Sequence, residues 1–217
     1  MAEIRTLTFR FVNAYLIKTD TGFILIDTGM RGNRARLERE LRAAGCGPGG
    51  LKLIVVTHGD PDHAGSAAYL RKIYGAKIAM HADEAPAVEQ GDMSASRGQP
   101  RLGRRLLTPL MSLFRLRRAD RFAPDVILKD GDRLDAYGLP ARVLHVPGHS
   151  VGSIAVLTDD GAFLSGDFLE NRTHPSIATL VDDPEALKTA FARVKALDIR
   201  TVYPGHGKPF DLSEIRQ

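Results

Sequence analysis

Hydrophobic residues in this chain gather in short runs, and four of those runs share one kind of ending. Leu53 to Val56 leads into Thr57-His58-Gly59-Asp60-Pro61-Asp62-His63, and Arg142 to Val146 into Pro147-Gly148-His149. Ala162 to Ser165 leads into Gly166-Asp167, and Thr201 to Tyr203 into Pro204-Gly205-His206-Gly207. If each run is a buried strand, each delivers a histidine or aspartate to the loop at its carboxyl end. Open α/β sheets bind ligands in that kind of crevice.

The remaining pattern fills in an α/β chain. Ile4 to Arg10, Asn13 to Thr19 and Phe23 to Asp27 read as strands, with Asp20-Thr21-Gly22 turning the last two into a hairpin. The spacing predicts helices from about Asn33 to Ala44, stopped by Gly45, and from about His63 to Tyr74, stopped by Gly75. A strand follows at Lys77 to Met80. Residues 82–122 are the least regular stretch, a helical insert. Glu89 to Pro100 reads as a polar loop, and Leu102, Leu106, Leu107, Leu110, Leu113 and Phe114 recur at helical spacing. Pro109 divides that last pattern into two short helices. Short strands with glycine turns return from Val126. A final helix is predicted from Pro184 to about Leu197, with proline in its first turn and acids at its positive end.

Composition narrows the class of protein. A chain of 217 residues, 43% hydrophobic and 26% charged, fits a single globular domain spanning residues 1–217. No stretch approaches the roughly 18 apolar residues of a membrane span. The segment from Met1 to Phe11 alternates like a strand and lacks the apolar core of a signal peptide. Cys46 is the only cysteine, so no internal disulfide forms, and a reducing, cytoplasmic setting is expected. The net charge of +4 is local. Arg97 to Arg121 holds eight arginines and one acid, Asp120, which leaves the rest of the chain at −3. That segment reads as packed helices with solvated arginines, as a lid over an anionic substrate, or as a membrane-surface contact. Nucleic acid is not expected, because aromatic residues are nearly absent among the arginines.

The chemistry lies in the loops. Alternating positions of an extended loop face the same way, so His58, Asp60 and Asp62 can face one centre, and His63 adds a donor from the helix that follows. Pro61 biases Asp60 toward extended backbone. Taken alone, the cluster also fits a turn at Asp60-Pro61 with Asp62 capping a helix. His149, Asp167 and His206 behind three further strands shift the balance to metal. Imidazole and carboxylate donors suit one or two divalent cations.

These motifs, in this order, resemble the metallo-β-lactamase superfamily. The similarity extends to Asn13-Ala14-Tyr15-Leu16-Ile17 and Leu25-Ile26-Asp27-Thr28-Gly29 and covers nearly the whole chain outside the insert. It implies a four-layer αββα sandwich with the metal site along one edge of two sheets. It further implies one metal held by His58, Asp60 and His149 and a second held by Asp62, His63 and His206, with Asp167 bridging. The departure is Asp60, where the commonest pattern has histidine. Zinc is the default ion, and this harder ligand brings in iron or manganese. A mononuclear site with Asp60 turned away is the competing arrangement.

The resemblance implies hydrolysis of a small ester, thioester or lactone, since zinc-bound water reaches a pKa of about 7. Asp62 is the candidate catalytic residue, orienting the nucleophile. His174 and Lys208 are candidate substrate contacts, Lys208 for an anionic group. His81 and His145 read as structural. Redox chemistry at a non-haem iron centre, as in persulfide dioxygenase-like relatives, is the alternative that Asp60 favours. A binding protein with an impaired metal site is the second. Oligomeric state is not legible.

Overall fold

A computed structural model of the chain describes residues 3–93 and 115–215. The predicted helices between Leu102 and Phe114, and most of the arginine-rich segment, lie outside them.

The amino-terminal strands β1 (Glu3–Phe9), β2 (Val12–Thr19) and β3 (Gly22–Ile26) form an antiparallel meander. Strands β4 (Leu51–Val55), β5 (Lys77–His81) and β6 (Val126–Leu128) then add in parallel, giving a six-stranded sheet in the order β1-β2-β3-β4-β5-β6. The second sheet is built from β7 (Ala141–His145), β8 (Ile154–Thr158), β9 (Ala162–Gly166) and β12 (Thr201–Pro204), in the order β12-β9-β8-β7. A two-stranded ribbon, β10 (Leu169–Glu170) and β11 (Ser176–Ile177), leaves its edge.

Three apolar cores separate four layers. Leu16, Leu25, Ile54 and Ile78 on the outer face of the first sheet pack with Leu37 and Leu41 of α1 (Arg34–Ala43) and Leu70 and Tyr74 of α3 (Ala67–Tyr74). Alternate residues of the same strands (Ile17, Ile24, Ile26, Leu53 and Val55) face Val143, Ile154, Val156 and Leu164 between the sheets. On the far side, Leu144, Ala155, Leu157 and Phe163 meet Leu187, Ala190 and Val194 of α5 (Pro184–Lys195). Both faces of the central strands are therefore buried, which is why these strands read as continuous apolar runs. Each such side chain contributes about 1.5–3 kcal/mol on burial. The αββα sandwich is the architecture expected from the sequence.

Topology decides where the four runs end. β8 runs antiparallel to both β7 and β9, and β9 runs parallel to β12, so β7, β9 and β12 finish at one edge. β3 and β4 are parallel and finish together in the other sheet. Backbone bonds clasp the two edges to each other: Ile154 N–H donates to the Thr57 carbonyl (3.0 Å) and Asn13 N–H to the Gly205 carbonyl (2.8 Å).

The helix predicted from His63 to Tyr74 is divided. A single turn, α2 (Pro61–Ala64), precedes α3, with Gly65 and Ser66 between them. The insert begins with a 3-10 turn at Ala82–Glu84 and α4 (Ala85–Gln90), so Glu89 and Gln90 belong to a helix rather than to a polar loop. No helix among the described residues is long and apolar enough to cross a membrane.

Candidate metal centre

The seven residues singled out from the loops come together at the shared edge of the two sheets. Asp60 and Asp62 flank Pro61 at the start of α2. Asp60 stands at the N-cap position with extended backbone, yet its side chain makes no capping hydrogen bond. Helix capping therefore does not account for that carboxylate.

Three overlapping sets of donor atoms lie within 4.8 Å of one another: His58, Asp60 and His149; His58, His63 and Asp167; Asp62, His63 and His206. Asp60 Oδ2 stands 3.6 Å from His58 Nε2 and 3.4 Å from His149 Nε2. The Asp167 carboxylate spans the other pair, with Oδ1 3.2 Å from His63 Nε2 and Oδ2 3.1 Å from His206 Nε2. Asp62 Oδ2 lies 3.6 Å from His206 Nε2 and 3.9 Å from His63 Nε2. All four imidazoles are buried.

Each of these histidines has its Nδ1 engaged on the side away from the cluster. His149 Nδ1 donates to the Leu180 carbonyl (2.7 Å), and His206 Nδ1 to the Phe11 carbonyl. His63 Nδ1 bonds Asp27 Oδ2 at 2.8 Å. His58 Nδ1 is 3.0 Å from the Thr57 hydroxyl, which donates to the Asp27 carboxylate at 2.8 Å and so keeps a lone pair for the ring N–H. Such outer partners fix the tautomer and leave Nε2 for a cation.

The buried electrostatics agree with that reading. His58 Nε2, His63 Nε2 and Asp167 Oδ1 are buried without a hydrogen-bond partner among the described residues. Thus His63 Nε2 and Asp167 Oδ1 are close but not aligned as a hydrogen bond. Burial would lower the His63 pKa, but Asp167, Asp27 and Asp62 outweigh it and hold the imidazole well above its usual value. Burial would raise Asp167, but His63 and His206 hold it well below the usual carboxylate range. A field that retains a proton this firmly also attracts a metal cation. The donor set, four imidazoles and three carboxylates, fits one or two divalent ions.

Other expected residues fall outside this cluster. His174 is exposed, with Nδ1 3.0 Å from its neighbour Thr173. Lys208 is exposed beside the His206 loop, lining a groove of about 460 Å³ with Arg10, Phe11 and Arg172. His81 and His145 stack face to face, 4.5 Å between ring centroids and 3° apart. Tyr203 packs edge-on against Tyr15, and burial pushes the Cys46 thiol up to about 11.

Two contributors were missed. Asp27, held at a positive φ of 58°, carries the hydrogen bonds that orient Thr57 and His63. Its signal was present, since an apolar strand ending on aspartate is the pattern that marked Asp167. Asn13 stands in a predicted strand and in one of the motifs that carry the resemblance, and neither marks its side chain as part of the site. Its side-chain amide donates to the carbonyls of Pro204 (3.0 Å) and Gly207 (2.7 Å), stapling the β1–β2 hairpin to the His206 loop.

Comparison with known proteins agrees with the fold. The model of the metallo-beta-lactamase superfamily matches residues 7–206, and the chain belongs to that superfamily. A hydroxyacylglutathione hydrolase of Pseudomonas putida strain F1 is 31% identical over 76% of the chain. The chain spans about half the length of that relative, 51%. The probable metallo-hydrolase YflN of Bacillus subtilis is 25% identical over 98% of the chain and 87% of its own length. Among solved structures, TTHA1623 in a di-iron-bound form superposes with a TM-score of 0.72 at 27% identity, covering 97% of this chain and 94% of that one.

Proposed function

We propose that the chain is a binuclear metallohydrolase that cleaves a small ester, thioester or lactone. One observation carries this reading: four imidazole Nε2 atoms and three carboxylates meet where the edges of the two sheets adjoin, with every Nδ1 tied outward. His58, Asp60 and His149 would hold one ion, and Asp62, His63 and His206 the other, with Asp167 between them. Two divalent ions at such a centre lower the pKa of water and polarise a carbonyl.

The chain's own groups supply the rest. Asp62 keeps 25% of its side chain exposed, against 10% for Asp167, so it is the carboxylate open to an incoming water. It is the group that accepts a hydrogen bond from that water and orients it toward the substrate carbonyl. The buried imidazoles exclude competing solvent from behind. Lys208, on the loop that carries His206, and His174, beyond β10, are the side chains proposed to meet the substrate's far end.

Zinc suits the four imidazoles, and the harder Asp60 together with the di-iron form of TTHA1623 supports iron. Iron also keeps a redox reaction as the second reading. Purified protein, stripped with chelator and reloaded with zinc, manganese or iron(II), is to be assayed on thioester, ester and lactone substrates. The reading expects turnover that disappears on chelation and returns with metal. A loaded protein inert toward all three substrate classes overturns it.

A further inference from the structure

Glu84 is the most unusual acid outside the metal cluster. It is fully buried, and no lysine or arginine among the described residues pairs with it. It stands at the N-cap position of α4 yet makes no capping bond. Its carboxylate instead accepts two backbone N–H donors from distant loops. Gly59 N–H donates to Oε2 at 2.7 Å, and Gly152 N–H to Oε1 at 3.0 Å. Gly59 lies between His58 and Asp60. Gly152 lies three residues after His149.

Both glycines are shaped to this contact. Neither needs a positive φ, so backbone freedom does not explain them. A Cβ on Gly59 would meet Ala87 Cβ at 2.7 Å and Glu84 Oε2 at 3.2 Å, and one on Gly152 would meet Glu84 Cγ at 2.9 Å. Both loops close down on the carboxylate because they lack side chains there.

The residues that flank the two donated N–H groups most closely, His58, Asp60 and His149, are the ligands proposed for one ion, while Asp62 and His63 follow on α2. The other set has anchors that do not involve Glu84: the Phe11 carbonyl on His206, and Asp27 on His63, although Asp27 also holds His58 through Thr57. We infer that Glu84 is a positioning residue that clamps the His58–Asp60 loop to the His149 loop and so sets the affinity of one metal site and not the other. This rests on the binuclear reading above. The carboxylate is needed rather than an amide, because glutamine offers one oxygen and one NH₂ to two N–H donors and leaves a donor facing a donor. Among the described residues no lysine or arginine neutralises this buried carboxylate, so the two backbone donors are what offset the cost of keeping it charged.

The test is stepwise metal titration of the metal-free protein against a chromophoric chelator, with zinc and with cobalt(II), alongside the thermal stability of the metal-free form. Wild type is expected to bind two ions. Glu84→Gln should bind one with unchanged affinity and the other about 10–100-fold more weakly, the usual size of an outer-partner effect. Adding His149→Ala to Glu84→Gln should then weaken that ion less than His149→Ala does in the wild-type background, because both changes act on one site. Glu84→Asp, whose shorter arm reaches only one of the two N–H groups, provides the same comparison if the glutamine variant does not fold. Equal weakening of both ions, or of neither, overturns the inference while leaving the metallohydrolase reading in place. A wild type that takes up no metal overturns both.

Discussion

At the scale of single residues, the fold repeatedly places one acid where two elements must be held in register. Asp120 is an example away from the metal cluster. It is buried and accepts from Arg31 Nη1 (2.9 Å) and Arg34 Nη2 (2.5 Å) at the start of α1. Burial would raise its pKa, but the hydrogen bonds from Arg34 and Arg31 outweigh it and hold the carboxyl below its usual range. A depressed folded value contributes stability above the unfolded pKa, and that contribution is lost as pH falls through the folded one. Asp120→Asn should therefore lower unfolding free energy by about 2 kcal/mol at neutral pH. The gap to wild type should close as the solution becomes strongly acidic. Denaturant titrations across pH check this, and a gap that widens with acid contradicts it. The sequence showed Asp120 only as the lone acid among eight arginines. Which arginines it would meet depends on α1, far away in the chain.

At the scale of elements, the strands and their endings were the legible part. β4, β7, β9 and β12 each follow an apolar run, and each hands its loop a ligand candidate. Local pattern sufficed because these strands are buried on both faces. The break between α2 and α3 was not legible, since apolar spacing continues across Gly65 and Ser66. Glu84 was equally hidden, because its two partners are backbone groups of glycines 25 and 68 positions away. The start of α5 shows how an element supports the site. Asp182 and Asp183 N–H groups both donate to the Gly148 carbonyl, next to His149, while the Asp183 side chain caps the helix through Glu185 and Ala186 N–H. Asp183→Ala should cost about 1 kcal/mol, a fall in Tm of about 2–4 °C for a domain of this size. Metal affinity should hold, because the bonds to Gly148 come from the backbone. Calorimetry with and without metal checks this, and an unchanged Tm would show that the cap contributes nothing.

At the scale of the whole molecule, the two sheets matter less as surfaces than as a pair of aligned edges. Neither sheet alone holds a complete donor set. His58, Asp60, Asp62 and His63 follow β4 of the first, and His149, Asp167 and His206 follow strands of the second. The backbone bonds between Ile154 and Thr57, and between Asn13 and Gly205, keep those edges in contact. Anomalous diffraction from crystals of the metal-loaded protein tests this most directly. Two peaks are expected about 3.5–4 Å apart, one within reach of His58, Asp60 and His149 and the other within reach of Asp62, His63 and His206. A single peak with Asp60 turned away, or none at the shared edge, would contradict the account.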